Sequence, residues 1–110
     1  MCYVDDTVAG LLALARSDLT GPVNIGSDEE LSVLALARLV REITGSDSPV
    51  VFVDRPVDDP RFRRPDITLA AERLGWRPRV LLEEGLRRTV NYFRAQRGLP
   101  PVSEWVVPAN

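Results

Sequence analysis

Apolar positions along the chain recur with two different periods. Val8, Leu11, Leu12 and Ala15 fall at i, i+3, i+4 and i+7, which predicts a helix over 5–17 with Asp5 or Asp6 capping its start. Leu36, Leu39, Val40 and Ile43 repeat the helical spacing within 28–45 and predict a buried stripe. Ser32 stands at the N-cap position of that stretch, and Gly45 where a helix ends in the left-handed conformation. A short helix is expected over 66–75, capped by Asp66 and stopped by Gly75. A third long helix is expected over 81–98, with Leu82, Leu86, Val90 and Phe93 on one face, ended by Gly98 and Pro100-Pro101.

Two stretches break the helical period. Val23–Ile25 lies between Gly21-Pro22 and Gly26 and reads as a short strand. The run "SPVVFVD" at 48–54 is β-branched and apolar and reads as a second. The expected fold class is therefore α/β: three main helices, one short helix and two short strands. Two strands alone make a marginal sheet, so the unit has an incomplete look. Domain bounds are drawn at 1–98 for the packed lobe and 99–110 for an extended tail with Pro100, Pro101 and Pro108.

Composition narrows the chemistry more than the fold. The chain has 110 residues, 45% of them hydrophobic, enough for one small core. The net charge of −2 provides no general attraction to nucleic acid or to an acidic membrane. No apolar run approaches the roughly 18–20 residues that span a bilayer. The single cysteine, Cys2, forms no internal disulfide, which points to a reducing cytoplasm. All 14 basic residues are arginine, and the chain has neither lysine nor histidine. No imidazole can act as a base near neutral pH, and no lysine can form a Schiff base. Carboxylates with one thiol are a poor donor set for zinc, so no metal site is expected.

The segment "DDPRFRRPD" at 58–66 is the strongest candidate site. Arg61, Arg63 and Arg64 sit among Asp58, Asp59 and Asp66, between prolines. Arginine suits a diphosphate, because its planar fork of donors stays charged. The alternative is a solvated loop whose charges pair with one another.

Four stretches in series carry a family resemblance: "CYVDDTVAGLLAL", "GPVNIGSDEELSVLALARLV", "DDPRFRRPDITLAAERLGWRP" and "LLEEGLRRTVNYF". Over roughly residues 2–97 the chain resembles the C-terminal, substrate-binding part of the NAD-dependent epimerase/dehydratases. These are extended short-chain dehydrogenase/reductases. The chain looks most like their UDP-glucuronate decarboxylase branch, with the dTDP-glucose 4,6-dehydratases and nucleotide-sugar epimerases nearby.

The resemblance implies a lobe without its Rossmann cofactor domain. The glycine-rich dinucleotide turn of the family is missing, since the seven glycines here are scattered. The family's catalytic tyrosine and lysine pair is missing too, since there is no lysine; Tyr3 and Tyr92 belong to other motifs. No cofactor is then expected on this chain alone, although the full-length family uses NAD. By the same resemblance Arg63 meets the diphosphate or ribose of a UDP- or dTDP-sugar, with Asp59 on the ribose or orienting the arginine. Arg61 flanks them and Tyr3 lines the cleft edge. No catalytic residue is expected. Two readings follow. The chain is a part of a nucleotide-sugar-modifying enzyme, inactive alone. Alternatively it is a non-catalytic module that docks on a relative bearing the cofactor domain.

Overall fold

The computed structural model describes residues 1–104. Four helices follow one another: α1 Val4–Ala15, α2 Val33–Thr44, α3 Thr68–Leu74 and α4 Leu82–Gln96. All four helical stretches expected from the pattern are present. α1 packs against α3, and α2 against α4.

Local chemistry sets most of the helix ends. The Ser32 hydroxyl accepts from the Ala35 amide at 3.1 Å and caps α2. Gly45 and Gly75 end α2 and α3 in the left-handed region, with φ of 63° and 62°. The Asp66 carboxylate accepts from the Thr68 amide at 2.9 Å, which holds the entry to α3. α1 departs from expectation. Tyr3 occupies its N-cap position with no side-chain cap, and Asp5 and Asp6 both lie in the first turn.

The expected strands do not form. Among the described residues there is no strand, so the α/β assignment with strands at 23–25 and 48–54 is corrected to an all-helical arrangement. The physical reason is the lack of a ladder partner. A β-strand is stabilised by its neighbour's amides and carbonyls and by cross-strand side chains. Segment 23–26 packs by its side chains instead, Val23 and Ile25 on the core and Asn24 Nδ2 donating to the Asp66 carbonyl at 3.1 Å. Segment 49–53 lies open, and Val51, Phe52 and Val53 are 74%, 81% and 85% exposed.

The core is small. Ile67, Ala70 and Trp76 are its buried centre, with Cys2, Val23, Ile25 and Leu74 packed around them. α1 approaches this centre through Gly10, where an added methyl carbon would lie 2.6 Å from Ile25 Cγ2 and 3.0 Å from Trp76 Cε2. α1 thereby buries Asp6 and Gly10 and leaves Val4, Val8, Leu11 and Leu12 exposed. Its apolar stripe faces outward. The radius of gyration is 16.6 Å, against about 13 Å for a compact chain of this size.

Residues 99–103 run along α4. Asn91 accepts from the Val102 amide at 2.7 Å and donates to its carbonyl at 3.4 Å. Arg87 donates to the Ser103 hydroxyl and carbonyl, and Arg94 to the Pro100 carbonyl. The part of the expected tail beyond residue 104 lies outside the described residues.

Candidate nucleotide-sugar site

The arginine loop begins with a turn. The Asp59 amide donates to the Pro56 carbonyl at 3.3 Å, and Asp58 takes a φ of 67° inside that turn. Aspartate tolerates this left-handed conformation better than most residues, because its short side chain bonds locally. The turn brings Asp59 back toward Arg63. Arg63 Nη2 donates to Asp59 Oδ1 at 2.5 Å, and the two side chains are 71% and 38% exposed. An ion pair this open contributes about 0–1 kcal/mol to stability. Its consequence is orientation, since the carboxylate engages one nitrogen of a guanidinium that carries five N–H donors. Arg61 is exposed on the same loop.

The loop ends against a polar cleft of about 340 Å³. Arg64, Pro65 and Asp66 form one wall, Thr68, Ala71 and Glu72 of α3 another, and Asp28 and Arg77 close it. The Asp66 carboxyl is held below its ordinary range, chiefly by the Thr68 side chain and then by the Thr68 amide, against a small opposing effect of desolvation. Arg64 and Arg77 were less visible in the sequence as a pair. The available signal is that each precedes a proline, Pro65 and Pro78, which holds the arginine in extended backbone.

Tyr3 lies elsewhere, in a larger cleft of about 430 Å³ between the start of α1 and α4. The two clefts share no lining residue. Tyr3 packs on Gly85, where an added methyl carbon would come within 3.2 Å of its ring. The Arg88 guanidinium sits 5.5 Å from the centre of the Tyr3 ring and pairs with Glu84 at 2.5 Å. The structure thus joins Asp59 to Arg63, leaves Arg61 in solvent, and separates Tyr3 from all three.

Asp6 is the residue whose position sequence reasoning missed. Its Oδ2 accepts from the Arg79 amide at 3.0 Å and the Val80 amide at 2.9 Å. Its backbone carbonyl accepts from Trp76 Nε1 at 2.9 Å. These bonds bind the 76–80 connector to α1 and so place Pro78 and Val80 in the wall of the Tyr3 cleft. The one signal in the sequence is the i, i+4 pair of Asp6 and Gly10, a polar and a small position on one face of a helix.

In sequence and in helical arrangement the chain is similar to part of the UDP-glucuronic acid decarboxylases and of a UDP-glucose 4-epimerase, an extended short-chain dehydrogenase/reductase. Two kinds of comparison carry that statement. The chain is 46% identical over 94 residues to UDP-glucuronic acid decarboxylase 1 of Xenopus tropicalis, which covers 86% of this chain. It is 46% identical over 99 residues to UDP-glucuronic acid decarboxylase 6 of Arabidopsis thaliana, covering 90%. Among solved structures, the UDP-glucose 4-epimerase of Thermotoga maritima, crystallised with UDP-glucose, superposes with a TM-score of 0.81 at 41% identity over 87% of the chain. No family model matches. The chain spans 22% and 29% of the two decarboxylases and 31% of the epimerase.

Proposed function

We propose that this chain supplies part of the sugar-nucleotide site of a UDP-sugar-modifying enzyme, of UDP-glucuronate decarboxylase type. The observation that carries the reading is the 46% sequence identity to UDP-glucuronic acid decarboxylases over 94 and 99 residues, 86% and 90% of the chain. The geometry supports it. Arg63 is held by Asp59 on an open loop, where a guanidinium meets a diphosphate without first being stripped from a buried partner. Arg61 adds positive charge to the same loop, and Tyr3 lines a separate cleft.

The reading assigns no chemical step to this chain. An enzyme of this type draws its hydride chemistry from NAD. The described residues contain no strand–glycine turn–helix unit that would cradle a dinucleotide, so nothing here is routed through that cofactor. The contribution of this chain is binding and orientation.

The test is calorimetric titration of the 110-residue chain with UDP. Saturable binding is expected, weakened roughly tenfold by Arg63→Ala, as for loss of one hydrogen bond to a charged group. Absence of heat from a folded chain, or equal binding by the variant, refutes the assignment.

A further inference from the structure

From Val51 to Arg64 every residue is exposed. The bonds made within that stretch, from the Asp59 amide to the Pro56 carbonyl and from Arg63 to Asp59, tie the arginine loop to itself and not to the core. Pro65 is the first half-buried residue downstream, and Ile67 the first in the core. What fixes Arg63 relative to the rest of the molecule therefore lies just after it. Two contacts stand there. Asn24 Nδ2 donates to the Asp66 carbonyl at 3.1 Å, across 42 residues of chain. Gly26 lies against the Pro65 ring so closely that an added methyl carbon would come within 3.0 Å of Pro65 Cγ. Both belong to one short segment. Its Val23 and Ile25 pack on the core, and the residues alternating with them meet the loop.

We infer that Asn24 and Gly26 are positioning residues for Arg63: they dock the Pro65–Asp66 step on the core and so set where the guanidinium just upstream stands. The consequence for binding rests on the sugar-nucleotide reading, in which Arg63 meets the diphosphate. Asp66 is held from two sides. Its carbonyl accepts from Asn24 and its carboxylate from the Thr68 amide at 2.9 Å, so the downstream end of the loop is anchored while the upstream stretch is open. Pro65 transmits the anchor. Its ring fixes its own φ and restricts Arg64 to extended backbone, so a shift of Pro65 passes along the chain instead of being absorbed. A guanidinium recognises a diphosphate by direction as well as by charge, through parallel N–H donors. A small displacement therefore weakens the contact although the charge is unchanged. Gly26 has no left-handed φ, so alanine is free of backbone strain there and acts through Pro65.

The experiment titrates UDP into the full 110-residue chain, into Asn24→Ala, Gly26→Ala and Arg63→Ala, and into the double variant Asn24→Ala with Arg63→Ala. The temperature is one at which circular dichroism shows each of them folded. Asn24→Ala should raise the Kd for UDP roughly threefold to fivefold, the range of one neutral hydrogen bond. Gly26→Ala displaces Pro65 instead of releasing Asp66 and should raise it roughly twofold or more. In the Arg63→Ala background Asn24→Ala should add nothing, because no guanidinium is left to place. A merely structural role would weaken binding equally in both backgrounds. Unchanged binding by either single variant, or additive losses in the double variant, overturns the inference and leaves the UDP reading intact. A second readout needs no UDP. The heteronuclear NOEs of the Arg63 and Arg64 backbone amides should fall on Asn24→Ala while that of Ala70 in α3 holds, and unchanged values at 63 and 64 overturn the inference. A parent chain that binds no UDP, with the NOEs falling as expected, removes the sugar-nucleotide reading and upholds the anchor.

Discussion

Replacing Asp6 by alanine should destabilise the chain more than replacing any other acid among the described residues. Asp6 is 7% exposed, the one buried polar or charged residue among them. Its Oδ2 receives two backbone amides, from Arg79 at 3.0 Å and Val80 at 2.9 Å. A hydrogen bond to an ionised acceptor contributes about 1.5–3 kcal/mol, and both of these bonds are only partly buried, so the lower end of that range applies to each. Asp6→Ala therefore costs about 3 kcal/mol, including the two amides left without an acceptor. The Trp76 bond goes to the backbone carbonyl and survives the change. For a domain near 100 residues that corresponds to a fall in Tm of roughly 12 °C or more. Asp6→Asn keeps an oxygen acceptor and loses only the charge assistance, so about 1 kcal/mol is expected. Thermal unfolding followed by circular dichroism, with urea titration as a second measure, distinguishes them. An alanine variant within 0.5 kcal/mol of the parent, roughly the scale of an ordinary surface substitution, would refute the latch. So would an asparagine variant as unstable as the alanine one.

Three further perturbations follow from the same packing. Gly10→Ala sets a methyl against Ile25 and the Trp76 ring, closest at 2.6 Å, and should cost about 1–3 kcal/mol by overpacking; unchanged urea midpoints would show that the side chains retreat freely. Asn91→Ala removes the acceptor of the Val102 amide, and hydrogen exchange at Val102 should accelerate roughly fivefold or more, for about 1 kcal/mol; an unchanged rate would mean that other contacts hold 99–103. The Asp66 carboxyl, lowered chiefly by Thr68, has a folded pKa below its unfolded one, so what it adds to the start of α3 is present above the unfolded value and lost as pH falls through the folded value. A carboxyl NMR titration should place its midpoint below the ordinary aspartate range, and Thr68→Ala, which removes the largest cause, should move it up.

What the sequence disclosed follows the range of the interactions. Ser32, Gly45 and Gly75 act within one turn of chain, and each lies where its side chain or its φ requires. The Asp59–Arg63 pair spans four residues, and the sequence offered it as one of two uses of Asp59, orienting the arginine or meeting a ribose. The Asp6 latch spans 73 and 74 residues, and no local pattern encodes it. The doublet Asp5-Asp6 read as a cap because capping is the common local use of aspartate at a helix start. The strands failed for a related reason. "PVVFV" has the composition of a strand, but a strand exists only with a ladder partner, and sequence alone does not disclose whether the partner lies in the same chain.

α1 shows how two local preferences compete when their partners differ. The Val8, Leu11, Leu12, Ala15 stripe predicts which side of the helix should be buried, and the helix buries the other. The side that wins is the one that can approach most closely. Gly10 lets the helix axis settle onto Ile25 and Trp76, and Asp6 then reaches two amides that have no other acceptor among the described residues. Dense contact and charge-assisted bonds outweigh a few partly exposed aliphatic side chains, each of which still shields some of its surface against its own helix. A helix fixed in this way has one side committed to this core and an apolar side left exposed. The sign of a single substitution follows. Leu11→Glu removes no core contact, so it should be neutral in the free chain. A stripe that belonged to this chain's own core would show the reverse, with the full cost appearing in the isolated chain.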